Sequence, residues 1–403
     1  MKKAEFYKDA RRGGNGPYEG VVVIEATTSW AGPMAGCILA DFGARVVKVE
    51  QPAGEVMRRL PLGIPGSDLM IQHETVNRNK QNVSLNLQKP EGREIFLKLC
   101  AEADILIENF RPGTLSAWGL GYADVAAVKP DIVYVSISGY GQFGPMSERA
   151  CYDPIAQNYC GWTSLNGDPK GGPMKAPTFL GDDLAGLHGA LGAMAALRHR
   201  DRTGEGQHVD VSLVDSLLYT CNGHLTAGAL GLDIPKTGNE YLMATPVNEF
   251  RCADGNVFIG LLLDSHWTVL AKLMGHEDIS QLALHARLAR REELNGIVGA
   301  WCAEHTVEFV VEAAAQVGLA ATRVNTFKDV AAEAHIASRD MLQTTQLSDG
   351  IEVPLTGPSV KFSRTPTRIR NAAPTVGQDN EEVLGRLGYS AADIERLIRE
   401  RRI

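Results

Sequence analysis

Residues 20–26 (GVVVIEA), a loop, a helical stretch from about Gly32-Pro33 to Phe42, and residues 45–50 (RVVKVE) follow one another near the start of the chain. Two apolar strand-like runs joined through a helix form a β-α-β unit of about 30 residues, the length that a parallel crossover needs. Proline in the first helical turn fits this reading. The pattern then recurs. Residues 82–87 read as a strand, 90–103 as a helix, 104–108 as a strand and 132–138 as another. Helices alternating with strands predict a doubly wound α/β domain for the first half of the chain.

Farther on, an apolar approach at residues 176–181 runs into Asp182 and a helix beginning near Asp183. That helix carries Gly186, Gly189 and Gly192 among alanines. Each interior glycine costs about 1 kcal/mol relative to alanine, so something must approach this backbone closely. A turn at 200–206 and a strand at 207–212 follow. From about Asn222 the pattern changes: segments 246–251 and 256–262 flank the hairpin signal Ala253-Asp254-Gly255, and helical stretches occupy 266–274 and 290–305. The expected division is a large α/β domain over 1–221, a smaller α+β domain over 222–325, and a linker with a C-terminal segment over 326–403.

Composition narrows the function classes. A chain of 403 residues, 44% hydrophobic and 22% charged, can bury a large core. The N-terminus mixes acids with bases and lacks an apolar core, so no secretory or transit segment is expected, and no apolar run reaches spanning length. Seven scattered cysteines without C-x-x-C spacing read as reduced thiols of a cytoplasmic protein. Neither they nor the ten histidines have metal-ligand spacing, so no metal is expected. The net charge of −8 argues against a nucleic-acid partner.

Glu50 at the end of the second strand and a G-x-G-x-x-G string at Gly139–Gly144 suggest a dinucleotide site. They belong to different units, and the glycine string runs into Pro145 instead of opening a helix, so that reading fails. Asp182 at a helix start is an N-cap candidate, and the helix dipole would keep its carboxylate ionised and fit to be a nucleophile. Backbone N–H groups of the loop containing Gly139, Tyr140 and Gly141 are candidate oxyanion donors. Tyr140, Phe143 and Gly144 are expected to shield the site from water.

Ala31-Gly32-Pro33, residues 42–50 (FGARVVKVE), Asn79-Lys80, residues 108–113 (ENFRPG), 138–145 (SGYGQFGP), Tyr152-Asp153, Asp182-x-x-x-Gly186 and residues 202–207 (RTGEGQ) occur in that order. With them the chain resembles the class III CoA-transferases, including formyl-CoA, carnitine and benzylsuccinate CoA-transferases, over nearly its whole length. The resemblance implies a Rossmann-like large domain closed by the C-terminus, a small domain, and two subunits interlocked like links of a chain, either as a homodimer or with a homologous second subunit. It implies Asp182 as the nucleophile, an acyl-CoA and a carboxylic acid as substrates, and no permanently bound cofactor.

For CoA, the resemblance implies adenine beside the backbone of Leu85 and Leu87, Asn109 and Phe110 against the nucleotide and pantetheine, and Trp30 and Ala31 on the adjoining loop. Lys48, Arg58, Arg59, Lys80 and Arg111 are the candidate phosphate contacts. Ala117 stands where the family often has arginine. Trp30 replaces the glutamine of formyl-CoA transferase, and with Tyr152, Tyr159 and Trp162 it points to a larger acid such as an aromatic succinate. An intramolecular CoA-transferring isomerase, a racemase resembling α-methylacyl-CoA racemase and a non-catalytic subunit are the alternatives. Tyr152, where the racemase has histidine, argues against the second.

Overall fold

Branched apolar residues fill both faces of the central strands, as parallel strands covered by helices require. The computed structural model describes residues 1–11 and 13–403. Its main sheet contains β1 (Val22–Ala26), β2 (Arg45–Glu50), β3 (Gln81–Ser84), β4 (Ile105–Glu108), β5 (Val133–Ser138) and β6 (Gln207–Ser212). The order is β3-β2-β1-β4-β5-β6, with every neighbouring pair parallel. Val23 therefore pairs with Val46 on one side and Ile105 on the other. Strand order reverses between β1 and β4, the point at which such sheets open a crevice beyond their carboxyl ends. The expected doubly wound, Rossmann-like sheet is present.

Each face has its own core. On one, Ile24, Val47 and Leu106 pack with Phe96 of the helix Pro90–Ala101 and with Leu384 and Leu397 of the C-terminal helices. Those helices also close the β3 edge: Asp379 accepts the Asn82 N–H at 2.7 Å and Asn380 accepts that of Ser84 at 2.9 Å. On the other face, Val23, Ile107 and Val135 pack with Ala35 and Leu39 of the helix Ala31–Asp41 and Ala193 of the helix Leu180–Thr203.

The glycines of the long helix meet the approach anticipated for them. A Cβ at Gly186 would lie 2.7 Å from Met34 Cβ and 2.9 Å from the Ala31 carbonyl, and one at Gly189 would lie 2.7 Å from Ile137 Cδ1. Gly189→Val should lower unfolding free energy by about 2 kcal/mol through overpacking. Urea denaturation measures this, and an unchanged midpoint would contradict the close packing.

The chain divides into two units, the first comprising Met1–Trp162, Lys175–Leu230 and Ala334–Ile403, the second Thr163–Met174 and Gly231–Glu333. The second holds an antiparallel sheet of β7 (Val247–Arg251), β8 (Asn256–Gly260) and β9 (Ala320–Arg323), with the expected hairpin between the first two. Helices Asp264–Leu273, Arg291–Ala303 and Val307–Gln316 cover a core that includes Val257, Trp267, Leu294 and Val310. Among the described residues no helix is long and apolar enough to cross a membrane.

Candidate active site

Leu180 is the first residue of the long helix and Phe179 its N-cap, so Asp182 lies within the first turn and is not the cap. Asp153 takes over part of that work. It is buried, its Oδ1 accepts the Gly181 N–H at 2.7 Å, and Gln157 Nε2 donates to its two oxygens at 3.0 and 2.8 Å. Asp183 Oδ1 accepts the Trp30 indole N–H at 2.6 Å, and the Trp30 ring meets Phe179 edge-on at 5.4 Å.

Full ionisation of Asp182 at neutral pH does not hold. Burial first, then the charges of Asp153 and Asp183, push its carboxyl up to about 7. A helix dipole contributes at most about 2 kcal/mol, which the loss of water and two like charges outweigh here. The result is a carboxylate that is more basic than an ordinary aspartate and populated near neutrality, both of which favour nucleophilic attack.

The glycine loop lies beside this carboxylate. A Cβ at Gly139 would sit 2.2 Å from Cys151 Cβ, and the Cys151 thiol is itself raised by burial and by the charge of Asp182. Tyr140 meets Tyr159 edge-on at 5.2 Å. Gly141 adopts φ +88°, a conformation suited to glycine, and this curls the loop back on its own strand. The Gly141 N–H consequently donates to Ser138 Oγ at 3.1 Å and the Gln142 N–H to Asp210 Oδ2 at 2.9 Å. Those two N–H groups are spent internally, which removes Gly141 as an oxyanion donor in this conformation. Phe143, expected to exclude water, is 81% exposed.

A cavity of about 150 Å³ opens beyond the carboxyl ends of β1 to β4. It brings together Leu85, Leu87 and Phe110, three of the residues expected to contact CoA. Its wall also includes Thr27, Thr28 and Trp118, which sequence reasoning missed. Trp118 meets Phe110 edge-on at 5.5 Å, giving the cavity an aromatic corner. The adjacent rim carries the amides Gln51, Asn86 and Gln88. Asn109 does not line the cavity. Its side chain works as a backbone mimic instead, accepting the Thr28 N–H at 2.9 Å and donating to the Thr28 carbonyl at 2.7 Å.

Two of the five candidate phosphate cations prove structural. Lys48 and Lys80 are buried, their ammonium groups 3.2 and 2.7 Å from the two oxygens of buried Glu25. Burial opposes charge on Glu25, but the two ammoniums overcome it and hold the carboxyl below the usual range. A polar group this deep needs its partners, and releasing either lysine to a ligand would strand a buried charge. Arg58 grips Glu50 with two bonds of 2.7 and 2.8 Å, a fork that outweighs burial and holds Glu50 down to about 2. Arg59 and Arg111 remain exposed and donate to the carbonyls of Ala53 and Glu148. Ala31 is buried beneath the long helix, so only Trp30 of that pair presents a polar group, and it goes to Asp183. The loop 27–30 thus has one end in the cavity wall and the other on the residue next to Asp182.

Comparison with known proteins decides the family. The model of CoA-transferase family III matches residues 18–380. The chain belongs to that family. It is 37% identical over 383 residues to the succinyl-CoA–L-malate CoA-transferase beta subunit of Chloroflexus aurantiacus, covering 91% of this chain and 93% of that protein. It is 32% identical to the succinyl-CoA:mesaconate CoA-transferase of Haloarcula marismortui, covering 93% and 97%. Among solved structures, a CaiB/BaiF family protein from Brucella suis superposes with a TM-score of 0.83 at 30% identity, covering 93% of this chain and all of that one. The protein is an enzyme of the CoA-transferase type, and its substrates include CoA thioesters.

Proposed function

We propose that this family III enzyme transfers CoA from succinyl-CoA to a short dicarboxylic acid, with Asp182 as the nucleophile. The supporting observation is a single one: a carboxyl raised to about 7 stands in the first turn of a tightly packed helix, tied through Trp30 and the loop 27–30 to the cavity of Leu85, Leu87 and Phe110. At about 150 Å³ the cavity is smaller than clefts enclosing whole ligands, which suits one end of CoA. The adenine lies against Leu85 and Leu87, and pantetheine runs past Phe110 toward Asp182.

Asp182 attacks the thioester carbonyl, forming an aspartyl–succinyl anhydride and releasing CoA thiolate. The thiolate attacks the aspartyl carbonyl, expelling succinate and leaving an aspartyl-CoA thioester. The acceptor carboxylate attacks that thioester, forming a second anhydride and regenerating thiolate. Attack of this thiolate on the acceptor acyl carbon yields the product and frees Asp182. Each step exchanges one acyl bond for another of similar reactivity, which is the benefit of covalent catalysis.

The named substrates of the two relatives favour malate- or mesaconate-like acceptors over the aromatic succinate that the aromatic residues suggested. Trp162 is committed to the Leu217 carbonyl and Tyr159 to Tyr140, which leaves fewer aromatic faces for such an acid. Mass spectrometry of reactions pairing succinyl-CoA with malate, mesaconate, glutarate and benzylsuccinate tests this. Formation of the first two thioesters supports the reading; benzylsuccinyl-CoA alone, or no product, overturns it.

The raised Asp182 carboxyl sets a pH profile. The nucleophile is the ionised form, so kcat/KM should fall about tenfold per pH unit below a midpoint near 7 and level off above it. Glu108 is also pushed up to about 7 by burial. Glu108→Gln should leave the midpoint in place, and a midpoint that moves with Glu108 would assign the titration there.

The assembly proposed is an interlocked pair, of two copies or of this chain with a homologous subunit. Phe143, Tyr219 and Leu230 of the first unit and Met243 and Phe327 of the second are each more than 70% exposed, and a partner subunit would cover such side chains. Sedimentation at dilute concentration should find no folded species at 43.5 kDa; an active monomer would contradict the assembly.

A further inference from the structure

We infer that Glu55 is a positioning residue that holds the loop between the CoA cavity and the nucleophile in its working shape, an inference that rests on the reading of Asp182 given above. Glu55 is buried and lines the cavity. Its Oε2 accepts the Ser29 N–H at 2.8 Å and the Thr28 hydroxyl at 3.2 Å. Its Oε1 faces Lys48 Nζ at 3.3 Å and accepts from Asn77 Nδ2 at 3.3 Å. The carboxylate is itself anchored through its backbone, whose N–H donates to Glu50 Oε1 at 2.8 Å.

The loop needs such an anchor. Ser29 adopts φ +67°, the left-handed region that a serine leaves unless its surroundings hold it there. Asn109 fixes Thr28 on both backbone groups, Glu55 fixes Ser29, and Trp30 bonds Asp183. Three successive residues are thereby held by side chains from three separate segments. Thr27 and Thr28 form cavity wall, while Trp30 reaches the helix turn that carries Asp182. Loss of the Ser29 anchor lets the backbone relax toward negative φ, which rotates Trp30 away from Asp183 and misaligns the thioester with the carboxylate. Misplacement of about 1 Å lowers rate far more than affinity, since ground-state binding tolerates it and attack geometry does not.

The test is steady-state kinetics of the full-length enzyme with succinyl-CoA, together with CoA binding by calorimetry. Glu55→Gln keeps the side-chain shape but loses the charged acceptor; kcat should fall at least about tenfold, with the Kd for CoA changing less than about threefold. Adding Ser29→Gly, which adopts the same φ without strain, should restore about fivefold of that loss. A role limited to pairing Lys48 would show no such rescue. Should Glu55→Gln fail to fold, Thr28→Val removes one of the bonds alone and should lower kcat about threefold. Equal kcat in E55Q and wild type, absence of rescue in the double variant, or an unaffected T28V would each overturn the inference. Lack of turnover by the wild-type enzyme would instead strike the proposed reaction.

Discussion

Asp182→Ala and Asp182→Asn should abolish CoA transfer, by a factor of about 10⁴ or more, while leaving a folded protein. The size follows from chemistry: without a side-chain carboxylate no anhydride forms, and a neutral amide neither attacks a thioester nor accepts CoA. Folding should survive because Asp182 is not the helix cap; Asp153 receives the Gly181 N–H. Stability should even rise slightly. A carboxyl whose folded pKa is raised penalises the native state once the pH exceeds the unfolded value of about 4, and the full penalty applies above the folded value. Asp182→Asn should therefore unfold at higher temperature than wild type at pH 8, by about 1 kcal/mol in stability, with the gain vanishing near pH 4. Asp183→Ala, which removes the Trp30 partner and one of the two charges that raise Asp182, should retain measurable turnover. Near wild-type turnover by Asp182→Ala would exclude the nucleophilic role.

Removing the aromatic corner of the cavity should raise KM for succinyl-CoA strongly. Phe110 and Trp118 meet edge-on, and both face the cavity. Truncating one half-buried aromatic side chain that packs against bound CoA removes about 2 kcal/mol of contact, so each alanine variant should raise KM about 30-fold. The double variant should fall short of the product of the two, because each ring loses its partner when the other is removed. Since the reacting atoms lie at the far end of CoA, kcat should change much less than KM. An effect confined to kcat would place the adenosine end elsewhere.

Much of this architecture is legible in the sequence, because the central strands are short runs of valine and isoleucine set between helical stretches and turn residues. β2 and β6 occupy the residues read for them, and the hairpin at Ala253-Asp254-Gly255 announces β7 and β8. Leu85, Leu87 and Phe110 meet in one cavity because they follow β3 and β4 directly, where a parallel sheet collects ligand-facing loops. The helix start was misplaced because Phe179 offers no capping side chain, while the acceptor for Gly181 comes from Asp153, 28 residues earlier. Lys48 and Lys80 illustrate a second limit. A basic residue in a strand or beside a motif looks like a ligand contact, and only the fold shows that Glu25 of β1 stands between the two. The acidity of Asp182 escaped for the same reason: local position suggests a stabilised anion, whereas burial and two neighbouring carboxylates reverse the sign.

The most direct measurement is peptide mass spectrometry of the enzyme incubated with succinyl-CoA alone and quenched rapidly. CoA should be found covalently attached to the peptide containing Asp182 in the wild-type protein and absent from that of Asp182→Asn. No adduct on this peptide in an active enzyme, or an equal adduct in the variant, would contradict a reaction that passes through the Asp182 carboxylate.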